Sequence, residues 1–136
     1  MKHSPYYEII DLNNELKEYR KLCRCKSKKY NYYSDWKNQM IKYCSAFSSK
    51  ESLDNFKHYC INIERTTKGI PNLYLNFMIL FTTVFVDKYI IDINEIAWMV
   101  IVFITLISVL MFDNRYNKET CFYRDIVKII EEFEKQ

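Results

Sequence analysis

Polarity along the chain divides it into three stretches. Residues 1–69 place apolar side chains at helical spacing among charged ones, residues 70–86 and 96–112 hold no formal charge, and residues 113–136 return to an amphipathic pattern. The segment 87–95 between the two uncharged runs carries Asp87, Lys88, Asp92 and Glu95. Each run is near the shortest helix able to cross a hydrocarbon core of roughly 30 Å. A backbone inside lipid must satisfy its own hydrogen bonds, so two helices joined by a turn are the simplest structure for such a segment. The pattern predicts an all-α integral membrane protein: a two-helix transmembrane hairpin, cytoplasmic N-terminal helices and an amphipathic C-terminal helix. A pair of buried helices in a soluble bundle is the plainer alternative. Against it, residues 96–112 offer only Thr105 and Ser108 as polar side chains, and Tyr74, Tyr89, Trp98 and Tyr116 fall near the expected interfaces.

Basic residues near the ends of the runs set the orientation. Lys57, Arg65 and Lys68 precede the first run and Arg115, Lys118, Arg124 and Lys128 follow the second, whereas the turn holds Lys88 alone. Both termini are therefore expected in the cytoplasm, in a multi-pass protein of the cell membrane. The domains read as a basic helical domain over 1–69, the hairpin over 70–112 and a cytoplasmic amphipathic helix over 113–136. What lies outside the bilayer is too small for a large core, so partners or further copies of the chain are expected to support it, and an oligomer is expected.

In chain order, Ser4-Pro5 has the form of a helix start. Ile9, Leu12, Leu16, Tyr19 and Cys23 then form a narrow apolar seam that can run on to Tyr30 and Tyr33. Ser34-Asp35 opens a second helix with Trp36, Met40, Tyr43, Cys44 and Phe47 along one face. Ser48 and Glu51 have capping-box spacing ahead of a third helix seamed by Leu53, Phe56, Cys60 and Ile63. Residues 66–71, with Gly69 and Pro71, are expected to break that helix just before the membrane. Beyond Asp113-Asn114-Arg115 a final helix carries Phe122, Ile126, Ile129, Ile130 and Phe133 on one side. That face requires a cover, either the N-terminal seams or the same helix of a neighbouring copy.

The first run also carries a polar stripe. Asn72, Asn76, Thr83 and Asp87 fall within an arc of roughly 60° at helical geometry. An Asn inside a bilayer segment normally faces protein or water. Counted inward from the cytoplasmic ends, Asn76 lies level with Thr105 and Ser108 on the second run, at depths of about 6 to 10 Å. Two uses fit this placement: an interhelical hydrogen bond that holds the hairpin together, or a wet path lined by several copies.

Candidate chemistry adds little. One Gly and two His leave no phosphate loop, no nucleophile in a motif and no paired-His metal site, so no catalytic residue is assigned and the chain is not expected to be an enzyme. Of the five cysteines, Cys23 and Cys25, like His58 and Cys60, stand two apart and point away from each other on a helix; neither a metal nor another cofactor is expected. All five lie on the side expected to be cytoplasmic and should be reduced thiols. The formal net charge is +3, concentrated before residue 69. Its densest part is Lys17, Arg20, Lys21, Arg24, Lys26, Lys28 and Lys29, followed by Tyr30, Tyr32 and Tyr33. This cluster can be a solvated face near anionic membrane lipids, an anion site for a nucleotide second messenger or nucleic acid, or a contact for acidic protein such as Glu131, Glu132 and Glu134 of its own tail.

The layout of cytoplasmic helices up to Lys68, a hairpin over 70–86 and 96–112, and an amphipathic helix over 122–133 resembles the two-transmembrane SLATT-type effectors of bacterial nucleotide-signalled defence. The resemblance lies in architecture and covers most of the chain. It implies an oligomeric, pore-forming membrane effector that breaks the bilayer barrier when an associated sensor protein detects phage. The alternative is a non-conducting membrane anchor or accessory subunit whose basic helices recruit a partner protein or nucleic acid.

Overall fold

The structure is a computed structural model that describes Tyr6, residues 8–89 and residues 95–135, with the backbone alone at 85–89 and 95–98. It is all-α among the described residues, with four helices: α1 (Leu12–Leu22), α2 (Tyr33–Ser45), α3 (Lys50–Tyr89) and α4 (Glu95–Phe133). They form two compact units, one built from residues up to Arg65 together with Lys118 onward, the other from Thr66–Asn117.

Helix α1 starts later than the Ser4-Pro5 pattern suggests, and those two residues lie outside the described ones. Asp11 is its cap, accepting a 3.1 Å hydrogen bond from the Asn14 amide, while Ile9 and Ile10 sit in the turns before it. Leu12, Leu16 and Tyr19 are buried as the spacing predicts; Ile10 is buried too, whereas Cys23 is exposed. The helix has ended by then. The Cys25 amide bonds Leu22 O at 2.9 Å and the Lys26 amide bonds Lys21 O at 2.8 Å, the paired closure that terminates many helices. That closure needs a left-handed residue, and Cys25 supplies it at φ 54° in place of the usual Gly. The seam therefore does not continue as a helix: Tyr30 returns to the core by way of the loop, and Tyr33 stays half exposed.

Helix α2 begins at Tyr33, slightly ahead of Ser34. Its Asp35 carboxylate accepts from the amides of Asn31 at 3.2 Å and Tyr32 at 3.0 Å. At the start of α3 the capping hydroxyl belongs to Ser49, which accepts from the Ser52 amide at 3.1 Å, and not to Ser48. The expected break at 66–71 is absent, since α3 passes through Gly69 and Pro71 as one helix. Proline's fixed φ suits a helix, but it has no backbone N–H, so the continuing helix forfeits one backbone bond and must accommodate the ring. A Cβ placed on Gly69 would meet nothing within 4 Å, so no packing constraint demands glycine there. The C-terminal helix is likewise not separate: 96–112 and 122–133 belong to the single helix α4.

The first unit is organised around Trp36, which is fully buried. Its ring lies 4.8 Å from Tyr19 and 5.8 Å from Phe122, and Tyr19 meets Phe122 edge-on at 5.4 Å. Leu53, Phe56 and Cys60 of α3 and Ile126, Ile129 and Ile130 of α4 complete this core. Of the two covers expected for the α4 face, the N-terminal helices of the same chain provide it. Polar contacts edge the core: Tyr19 donates to Asp125 at 2.7 Å, Arg20 to Glu119 at 2.8 Å and Lys57 to Glu134 at 2.8 Å.

Among the described residues one helix, the Met99–Phe133 portion of α4, is long and apolar enough to cross a membrane, and none of its most apolar window is buried. The apolar run of α3 is diluted by Pro71, Asn72, Asn76, Thr82 and Thr83.

Cys25→Gly should stabilise the first unit by about 1 kcal/mol, because glycine adopts the left-handed conformation without a Cβ penalty. Chemical denaturation of the full chain in detergent measures this; lower stability in the variant would show that the Cys25 side chain holds the loop.

Candidate functional site

Two candidate regions follow from the sequence, the polar stripe in the second unit and the basic cluster in the first. In the second unit α3 and α4 pack along a defined seam. Tyr74 stacks on Phe112 with ring centroids 4.0 Å apart, and its hydroxyl meets Ser108 Oγ at 2.6 Å. Tyr74, Met78 and Thr82 are half-buried along α3, as are Ile101, Thr105, Ser108 and Phe112 along α4. Steps of three and four residues place each set on one helical face.

The stripe lies elsewhere. Asn72, Asn76 and Thr83 are all exposed. At helical geometry they sit roughly 140° around α3 from the seam, on the side turned away from α4. Asp87 belongs to α3, but its side chain lies outside the described residues, as do those of Tyr89 and Trp98. The expected bond from Asn76 to Thr105 or Ser108 is therefore not formed. Tyr74 takes Ser108 instead, and the Thr105 hydroxyl donates to Ile101 O of its own helix at 2.9 Å. Thr83 does the same to Ile79 O at 2.8 Å. Such back-bonds let a hydroxyl sit in an apolar helix without an unmet donor.

The far side of α4 has the opposite character. Met99, Phe103, Leu106 and Leu110 are each more than half exposed and lie roughly 150° from the α4 seam. The paired helices thus carry an amide and hydroxyl face at one edge and a bulky apolar face at the other. Ile79 and Leu80 border the stripe with exposed apolar surface, and Leu73, Phe77 and Phe81 add more between it and the seam.

The basic cluster is split by the fold. Arg20 pairs with Glu119 at 2.8 Å, Lys21 with Glu18 at 2.5 Å and Lys29 with Glu15 at 2.5 Å. Lys17, Arg24, Lys26 and Lys28 are exposed. The cluster does not engage the acidic tail residues proposed for it: Glu132 pairs with Lys37, and Glu131 and Glu134 with Lys57.

Glu15 was not evident as a site from its residue type. It is buried, and besides Lys29 it accepts from Tyr30 at 2.8 Å and Tyr43 at 3.2 Å. The spacing does carry the signal: Glu15 follows Leu12 by three and precedes Tyr19 by four, on the apolar face. Burial opposes the charge on Lys29, but its bonds to Glu15 and Tyr30 outweigh this and raise its pKa. Burial pushes the Tyr30 phenol up to about 12. The Lys21 ammonium, against desolvation and with help from Ser27, holds the Glu18 carboxyl below its usual value, and Lys57 does the same for Glu134.

None of the five cysteines is in a disulfide; Cys44 and Cys60 are buried, and burial raises the Cys44 thiol to about 11. Among the described residues no group of His, Cys, Asp and Glu is arranged to hold a metal. No protein-family model matches this chain, and no characterised protein or solved structure matches it either.

Because Glu18 and Glu134 are lowered in the folded state, their contribution is complete above the ordinary value of 4.5 and is lost as pH falls through the lowered values. The melting temperature of the full chain should fall as pH drops below about 4.5, with a smaller fall in a Glu18→Gln, Glu134→Gln double variant. Melting temperatures that track each other in both proteins would remove these two carboxylates from the stability balance.

Proposed function

We propose that the protein is an oligomeric two-span membrane effector whose hairpins assemble around a shared polar axis and breach the bilayer. The observation that carries this reading is the exposure of Asn72, Asn76 and Thr83 on the edge of the helix pair opposite to the apolar α4 edge. Carboxamides in hydrocarbon are costly without protein or water beside them. With α3 turned inward and α4 outward, the stripe lines an axis, Met99, Phe103, Leu106 and Leu110 meet lipid, and the apolar flanks of α3 touch neighbouring copies.

The two-span topology gains support from the core of the first unit. Phe122, Ile126 and Ile130 pack with Trp36 and Phe56, so residues before Arg65 and after Lys118 share one compartment. A chain that crosses the bilayer through α4 alone would put them on opposite sides. An even number of crossings preserves the core, and the uncharged run of α3 is the segment able to supply the second. The flanking Lys and Arg then favour a cytoplasmic location for both termini.

Exposed apolar surface supports the same environment. Soluble monomers rarely leave a contiguous apolar patch of more than a few hundred Å² open to water. A barrier-breaking effector of this layout is what the likeness to SLATT-type defence proteins implies, with a separate sensor supplying the trigger. A non-conducting anchor, the competing reading, needs a contact with a partner or another copy to give the outward Asn residues polar surroundings.

Asn76→Leu should reduce dye leakage from vesicles reconstituted with the protein to that of protein-free vesicles. Ser108→Ala, which removes a bond inside the hairpin worth about 0.6 to 2 kcal/mol, should leave leakage largely intact. Equal leakage from Asn76→Leu and the parent protein would reject a conducting stripe; sealed vesicles with the parent itself would favour the anchor.

A further inference from the structure

The loop between α1 and α2 is tied by hydrogen bonds, cationic and edged by tyrosine. Its two neighbouring carboxylates, Glu15 and Glu18, are buried and spent on Lys29 and Lys21. Lys17 on the preceding helix and Arg24, Lys26 and Lys28 in the loop are left exposed, and their side chains make no ion pair or hydrogen bond among the described residues. Their backbone is fixed from several directions. The left-handed Cys25 closes α1, and Ser27 Oγ accepts from the amides of Lys29 at 3.2 Å and Tyr30 at 3.1 Å while donating to Glu18 at 3.0 Å. A cavity of about 330 Å³ opens in the loop, bounded by Leu22, Cys25, Ser27, Tyr30, Asn31 and Tyr32. Tyr32 is 72% exposed.

We infer that this loop is a docking surface for the anionic phospholipid headgroups of the leaflet to which the first unit is tethered. Lys17, Arg24, Lys26 and Lys28 meet lipid phosphates, and Tyr32 supplies an amphipathic ring suited to the interface. The inference rests on the membrane reading proposed above. Charge complementarity selects an anionic partner, and tethering selects lipid among such partners. Both α3 and α4 run from the first unit into the apolar pair, which keeps headgroups at high local concentration. A nucleic acid would have to be captured from solution. Fixing the loop in advance lowers the ordering cost of such a contact.

The test uses the full chain in nanodiscs of phosphatidylcholine alone or of phosphatidylcholine mixed with phosphatidylglycerol, with lysines acetylated by limiting reagent and read by mass spectrometry. Lys17, Lys26 and Lys28 should react about fivefold or more slowly in the anionic discs, an effect lost at high salt, while Lys42 and Lys50 change little. Arg24→Gln should weaken the protection of Lys26 and Lys28 without altering the circular dichroism spectrum. Equal rates in the two discs would overturn the docking proposal and leave the membrane reading standing. Protection by single-stranded RNA in neutral discs, with none from anionic lipid, would reassign the loop to nucleic acid. A chain that leaves both kinds of disc would sink the membrane reading, and this proposal with it.

Discussion

The packing of Phe122 and the isoleucines behind it against Trp36 is the contact on which the rest depends. It joins the end of the chain to its first half in one core, with Tyr19, Phe56 and Leu53 filling around the indole. Everything from Thr66 to Asn117 is thereby a closed excursion that leaves this core and returns to it. An excursion of that kind with two uncharged runs near its middle has few physical outcomes. Either its helices cross a bilayer together, or they find enough protein surface to cover side chains such as Phe77, Phe103 and Leu106.

The polar groups of the excursion divide by the same logic. Those that face the partner helix are satisfied: Tyr74 with Ser108, and Thr105 with its own backbone. Those that face away are Thr83, bonded to its own backbone, and the two Asn residues, whose side chains have more hydrogen-bonding capacity than a helix backbone can absorb. A helix pair with satisfied polar groups inside and carboxamides outside is incomplete in hydrocarbon as a single copy. That incompleteness is the physical basis for proposing an assembly, in which the stripe would contact other copies or water; of the two uses that depth allowed, the bond from Asn76 to the second run is not made.

Much of the helical organisation was legible in the sequence, because burial at steps of three and four survives almost unchanged: Trp36, Met40 and Cys44 on α2, then Leu53, Phe56 and Cys60 on α3. Boundaries were less legible. Ser48 and Ser49 are both competent caps, and only the local geometry chooses Ser49. Gly69 and Pro71 are each helix-weakening, yet long helical stretches on both sides outweigh two local penalties. At Cys25 the chain does what glycine usually does, which residue type alone could not reveal. The basic cluster looked uniform because sequence hides which acids are buried; Glu15 and Glu18 turn inward and neutralise two cations, Glu119 neutralises a third, and four are left on the surface. The stripe was visible as a face, but which direction that face points depends on where α4 packs, and Tyr74 decides it.

Oxidative crosslinking in vesicles addresses the outward direction of the stripe most directly. In a variant whose native cysteines are replaced, Asn76→Cys should form disulfides between copies, whereas Tyr74→Cys, on the seam against its own α4, should not. Crosslinks between copies from Tyr74→Cys, with none from Asn76→Cys, would mean that α3 faces its neighbours through the opposite side and that no polar axis is formed.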